Sequence, residues 1–167
     1  IIFLNAGDEF AEEDTLTSVA EQLKGKQLPG VIYGNTDIVD ENGNFLRKRR
    51  LAPPEKLSWR SFKHGMLVCH QSFYARTDIA RKVPYNLEYK LSADVDWCIR
   101  IMKETEQQGL TLWNTHMTLS SYLDGGMSVK SHRASLKERF MVMSDHYGKI
   151  ATIGMHLWFV VRAVLKR

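Results

Sequence analysis

The sequence predicts an α/β fold, a mixed sheet flanked by helices and followed by a helical C-terminal tail, and three observations carry that expectation. The chain opens on Ile1-Ile2-Phe3-Leu4, an unbroken apolar run of the kind that fills a strand buried in an interior parallel sheet. Segments with helical spacing of apolar residues then alternate with extended ones. The chain closes on KIATIGMHLWFVVRAVLKR, apolar along most of its length.

Each element follows from its residues. Asn5 and Gly7 permit a tight turn after the first run, which leaves Asp8 at a strand's carboxyl end, the edge of an open α/β sheet where ligands usually sit. In EEDTLTSVAEQLKG, Leu16, Val19, Ala20 and Leu23 fall at helical spacing, with acidic residues ahead and Gly25 behind. GVIYGNTDIVDENGNFLRKRR reads as a strand, a polar turn at Asn42-Gly43 and a second strand running into basic residues. LAPPEKLSWRSFKHG, with paired prolines and no clean period, reads as a loop holding a short helix near Leu57 to Phe62. MLVCHQSFYAR follows as an extended apolar segment interrupted by His70-Gln71. Val95, Cys98, Ile99 and Met102 stand at i, i+3, i+4 and i+7, so a helix begins near Ser92, whose hydroxyl is placed to cap it. Asp94 lies in its first turn. LTLWNTHMTLSSYL reads as one or two strands, DGGMS as a flexible turn, and a further helix carries Leu136, Phe140, Met143 and Tyr147. The final segment, interrupted by Arg162, Lys166 and Arg167, is too short for a membrane span of about 20 apolar residues.

Composition narrows the class. A chain of 167 residues, 44% hydrophobic and 25% charged, has the material for one soluble globular domain with a substantial core. A net charge of +4 suits anionic ligands or an acidic membrane surface and is too small to imply nucleic acid. Cys69 and Cys98 have neither metal-type spacing nor the density of a disulfide framework, so buried free thiols in the cytoplasm are expected. The chain starts inside what reads as a strand, without initiator Met, charged leader or cleavable signal, which points to a fragment whose preceding strands are absent.

Five short motifs occur in one order: FLNAGD, VIYGNTDIVDENG, CHQSFYAR, SADVDWCIRI and YLDGGMS. Together, from Ile1 to about Ser128, they resemble the second half of an inverting, nucleotide-sugar-dependent glycosyltransferase of family 2, with the GT-A fold. The resemblance implies an acceptor-side half in 1–130 and C-terminal helices in 131–167. The YN turn and the SDGSTD-like segment of the family's nucleotide-binding half are not found. The chain alone is therefore expected to bind sugar nucleotide poorly and to be inactive by itself.

The resemblance also assigns residues. In this family the strand ends in an acidic Asp-x-Asp-Asp cluster that holds a divalent cation against the donor's diphosphate; here the cluster is Asn5-Ala6-Gly7-Asp8. Asp8 is then the surviving ligand for Mg²⁺ or Mn²⁺, hard ions that take oxygen donors and complete their shell with phosphate and water. Asn5 assists through its amide or touches the sugar. A plain alternative has Asp8 capping the next helix. Ala93-Asp94 resembles the family's Glu-Asp motif, with Ala replacing Glu, and makes Asp94 the general base that takes the acceptor hydroxyl's proton. A carboxylate favoured by a helix dipole is the alternative there and at Asp96, which reads as a supporting or surface group.

His70 and Gln71 stand where the family approaches acceptor and sugar, so both are candidate substrate contacts, with a buried, satisfied His70 as the equal alternative. Gly125, Gly126 and Ser128 resemble the family's flexible Gly-Gly-x-Ser loop, which closes over the diphosphate; two glycines also suit any turn. His132 and Arg133 can reach phosphate or face solvent. The basic run from Arg47 to Arg50 reads either as a solvated face or as a phosphate or lipid contact. The terminal helix reads either as packed on the domain or as lying on a bilayer surface.

The implied function is transfer of a sugar, with inversion, from a UDP-linked or similar nucleotide-sugar donor to a glycan or lipid-linked acceptor in surface polysaccharide biosynthesis. The expected place is the cytoplasm, with peripheral contact on the inner face of the membrane. A different reading is a non-catalytic carbohydrate- or nucleotide-binding module derived from such an enzyme. A metal-dependent hydrolase fits poorly, because a cluster of His and Asp ligands is missing.

Overall fold

A computed structural model describes residues 1–125 and 132–165. The order of elements is β1 (Glu9–Phe10), α1 (Thr15–Leu23), β2 (Val31–Val39), β3 (Phe45–Lys48), 3₁₀ turns at Trp59–His64 and His70–Ser72, β4 (Phe73–Ala75), α2 (Thr77–Lys82), α3 (Ala93–Gln107), β5 (Leu112–Leu123), α4 (His132–Tyr147) and α5 (Lys149–Leu165). The expected class holds: a mixed sheet flanked by helices, with a helical C-terminal part, consistent with a GT-A-like fragment.

β2 is central. It runs parallel to β5 from Val31↔Leu112 to Val39↔Leu123 and antiparallel to β3 and β4, while β1 pairs antiparallel with the far side of β5. Alternation along β4 shows how the layers form. Phe73 joins Val31, Tyr33, Trp97, Ile99 and Met102 in the core under α3, whereas Tyr74 joins Ile32, Leu119 and Val19 under α1. Helices thus cover both faces.

The β2–β5 ladder carries an irregularity around Tyr33 to Thr36, where His116 adopts a φ of 58°. Gly34 lies against this bulge, and a Cβ there would stand 2.6 Å from the Met117 carbonyl oxygen. The turn between β2 and β3 closes on the Asp40 carboxylate, which accepts from the Asn42 and Asn44 amides, with Gly43 at a φ of +79°.

Two expectations need correction. Ile1–Leu4 form no buried strand: only Ile1 exchanges backbone bonds with Ala75, and Ile1, Phe3 and Leu4 are about two-fifths exposed. One paired residue does not extend a ladder, and the segment is held by other means, Phe3 lying edge-on to Tyr85 and Trp97. Ser92 flanks α3 as expected, yet its hydroxyl makes no cap; it donates to the Ser135 carbonyl 3.4 Å away on α4. The segment leading into α3 is secured from outside instead, by Glu138, whose carboxylate accepts from the amides of Lys90, Leu91 and Ser92.

α4 is tied down at its other end as well. His146 Nε2 and Arg100 both lie 2.7 Å from the Asp96 carboxylate, and the Tyr147 hydroxyl donates to the Trp59 carbonyl. Cys69 and Cys98 are free and buried, as expected. Among the described residues, no helix is long and apolar enough to cross a membrane.

Candidate active site

The site forms where β2 and β5 end. Asn5 to Asp8 make a turn, with the Asp8 amide donating to the Asn5 carbonyl at 3.0 Å, and Gly7 takes a φ of +90° that a side chain would strain. Asp8 is fixed from three sides. Its Oδ1 accepts from the backbone amide of Leu123, the last residue of β5, at 3.1 Å, and its Oδ2 accepts from the Asn5 amide at 3.3 Å and from Gln71 Nε2 at 2.5 Å. The alternative in which Asp8 caps a helix does not hold, because β1 intervenes and α1 starts after Asp14.

Gln71 belongs to the 3₁₀ turn His70–Ser72 and is fully buried. Its amide nitrogen holds Asp8 and its carbonyl oxygen accepts from Cys69 Sγ at 2.8 Å. Below it, Ser72 Oγ lies 2.7 Å from Thr36 Oγ1 and 2.6 Å from Ser120 Oγ, so a buried hydroxyl cluster anchors the turn to both parallel strands.

His70 links the two ends of the motif set. Its Nε2 lies 3.2 Å from Asn5 Nδ2 and its Nδ1 lies 3.2 Å from Asp94 Oδ2. An amide nitrogen only donates, so Nε2 accepts and the ring proton sits on Nδ1, pointing at Asp94. The imidazole is 14% exposed and the Asp94 carboxylate 28%, so the pair is sheltered yet reachable. Asp94 Oδ1 accepts from the Val95 amide at 2.9 Å, which leaves one lone pair on each oxygen for a ligand. A hydrogen-bonded path thus joins Asp94, His70, Asn5 and Asp8, and Gln71 with it.

Two arginines share the electrostatic surroundings of this path: Arg49, from the basic run the sequence singles out, and Arg139, which sequence reasoning missed. Arg49, inside the basic run, donates to the carbonyls of Leu51, Leu67 and Met66. Arg139, on α4, has a buried Nε with no hydrogen-bond partner among the described residues. Burial pulls its guanidinium below the usual range, the Asp94 charge opposes that, and Arg49 adds to it. Burial likewise pushes the Cys69 thiol up, with Arg49 working against the rise and Asp94 and Asp8 adding to it. These groups therefore share one electrostatic neighbourhood, anionic at two points and cationic at two. Arg139 left no local sequence signal: it stands in a helix whose inward side is known only once α4 is docked.

Other expected contacts distribute differently. Asp96 is 5% exposed and bound to Arg100 and His146, so it is a buried joint between α3 and α4, not a surface group. Arg47 pairs with Asp124 at 3.1 Å and Arg133 is exposed. Gly125 holds a φ of +89°, as a turn glycine does. Gly126 and Ser128 lie outside the described residues. A cavity of about 650 Å³ opens on the α1 side, lined by Leu16, Val19, Leu28, Ile32 and Tyr74, and none of the site residues lines it.

The fit to a divalent cation rests on Asp8. Both of its oxygens already accept hydrogen bonds, Oδ2 twice and Oδ1 once, which leaves one lone pair on Oδ1. Among the described residues, no group of three or more His, Cys, Asp or Glu side chains can hold a metal. The residues fit an ion carried mainly by phosphate and water with a single carboxylate contact, and not an ion caged by protein.

No family model matches the chain. It is 31% identical, over 130 residues, to proteins named PGL/p-HBAD biosynthesis glycosyltransferase from Mycobacterium bovis (strain BCG / Pasteur 1173P2) and Mycobacterium tuberculosis (strain ATCC 25177 / H37Ra). The match takes in 77% of this chain and 46% of each relative. Over about three quarters of its length the chain is thus similar to glycosyltransferases, and it spans about half the length of the relatives it matches.

Proposed function

We propose that the chain carries the acceptor-side part of an inverting, family 2, GT-A glycosyltransferase, with a nucleotide-sugar donor and a glycan or lipid-linked acceptor. One observation carries the reading: Asp8 and Asp94, 86 positions apart in sequence, are tied into a single hydrogen-bonded set through Asn5, His70 and Gln71. Similarity to the mycobacterial glycosyltransferases, in the biosynthesis their names state, supports both transfer and a cell-surface glycolipid or glycan product.

The chemistry follows from the lone pairs. An acceptor hydroxyl donates to Asp94, its oxygen bonds to the anomeric carbon from the face opposite the leaving diphosphate, the bond from that carbon to the phosphate oxygen breaks, and the proton passes to Asp94. The His70 Nδ1–H keeps Asp94 oriented. Asp8 is the residue that would hold a divalent ion, which would supply charge neutralisation for the leaving diphosphate. Arg139, whose Nε has no hydrogen-bond partner among the described residues and whose charge acts on Asp94, and Arg49 add fixed positive charge. Gln71 serves by holding Asp8.

The sparse carboxylate set favours a second reading, a non-catalytic module that binds a carbohydrate or nucleotide. The two separate in one assay. A panel of sugar nucleotides is supplied with Mn²⁺ or Mg²⁺ and candidate acceptors, and nucleoside diphosphate release is measured for this chain alone and for the chain joined to a family nucleotide-binding half. Acceptor-dependent release supports transfer; saturable donor binding with no release on any acceptor supports the module.

A further inference from the structure

α5 has two unlike sides. The inward one packs on α4, where Phe140 meets His156 at a ring distance of 5.2 Å and Thr152 is fully buried. At 3.6 residues per turn, Ile150, Ile153, Leu157, Val160 and Val161 fall together on the other side, with Trp158 at its margin. Ile150 is 89% exposed, Leu157 and Val160 63%, and Trp158 51%. A surface of six large apolar side chains on one helix exceeds the scattered apolar exposure that needs no explanation.

Charge decides what covers it. From Gly148 to Arg167 the sequence contains no Asp or Glu, and it carries Lys149, Arg162, Lys166 and Arg167. Pairing with a second copy, parallel or antiparallel, would set cation against cation with no carboxylate between them. An anionic lipid surface meets both features: headgroups take the cations, and the apolar side enters the acyl boundary. A 17-residue helix extends about 25 Å, enough to lie flat along the interface. We propose that α5 is a membrane-surface helix that seats the protein on anionic lipid through Ile150, Ile153, Leu157, Trp158, Val160 and Val161. The inference is independent of the chemistry proposed for Asp8 and Asp94.

Vesicle co-sedimentation of the 167-residue protein tests it, using phosphatidylcholine alone and phosphatidylcholine mixed with phosphatidylglycerol. The bound fraction should rise about tenfold or more with the anionic lipid and fall again in high salt. Ile153→Glu with Leu157→Glu should abolish binding; both positions are exposed, so the thermal midpoint should hold. Brominated acyl chains should quench Trp158 fluorescence, and Trp158→Phe should remove that quenching, a reading that needs no folded double variant. Failure to bind anionic vesicles, binding indifferent to the Glu substitutions, or a dimer in sedimentation velocity that those substitutions dissolve would each overturn the proposal.

Discussion

Asp94 accepts from His70 Nδ1 and from its own helix's Val95 amide, so its carboxylate cannot rotate without breaking both bonds. Replacing His70 with Ala should therefore lower kcat of transfer about tenfold to a hundredfold, the worth of one hydrogen bond to a charged group, with KM for donor little changed. His70→Asn, whose amide can donate where Nδ1 does, should recover part of the loss; equal loss in both variants would mean that the ring itself is needed. Thiol chemistry gives a second check at this scale. Burial raises Cys69 and raises Cys98 well above the ordinary thiol range, so neither should react with a disulfide reagent in native protein at neutral pH, and both should react in denaturant. As candidates, Asp8 and Asp94 were legible in the sequence because short motifs mark them. Arg139 and the buried role of Gln71 were not, since each depends on contacts more than 40 residues away in the chain.

The elements hold the site by joints between helices. Burial works to raise the Asp96 carboxyl, and the bonds from His146 and Arg100 outweigh it, so Asp96 titrates below the usual carboxylate range. A depressed carboxyl lends stability above its unfolded value of about 4 and loses it as pH falls through the folded value. Urea midpoints of the wild type should therefore drop more steeply below about pH 4 than those of Asp96→Asn; parallel slopes would contradict the joint. Glu138 caps the approach to α3 from α4, and Glu138→Ala should cost about 1–3 kcal/mol by leaving three amides without their acceptor. At the bulge, Gly34→Ala would crowd the Met117 carbonyl and the Leu119 and Thr115 side chains at once and should cost a similar amount, read in thermal unfolding. Periodicity exposed α1, α3 and the β2–β3 hairpin in the sequence itself. It misjudged Ile1–Leu4, because an apolar run states a wish to be covered and does not say which backbone will pair with it.

At the scale of the molecule, the parallel pair β2–β5 does what strand ends do in open α/β sheets, presenting a turn, a 3₁₀ segment and a helix start at one edge. Motif order revealed that convergence more clearly than any single residue did, since five weak signals in sequence constrain one another through a shared sheet. The helical tail was legible as helix and left its partner open; its apolar outer side became visible only when α4 took the inner one. The central claim is that Asp94 removes the acceptor's proton in a site completed by Asp8. Its most direct test compares Asp94→Asn with wild type, in the chain joined to a nucleotide-binding half, for donor binding and for acceptor-dependent nucleoside diphosphate release. The account predicts unchanged donor affinity with release lowered about 10²–10⁴-fold; release within a few-fold of wild type would contradict it.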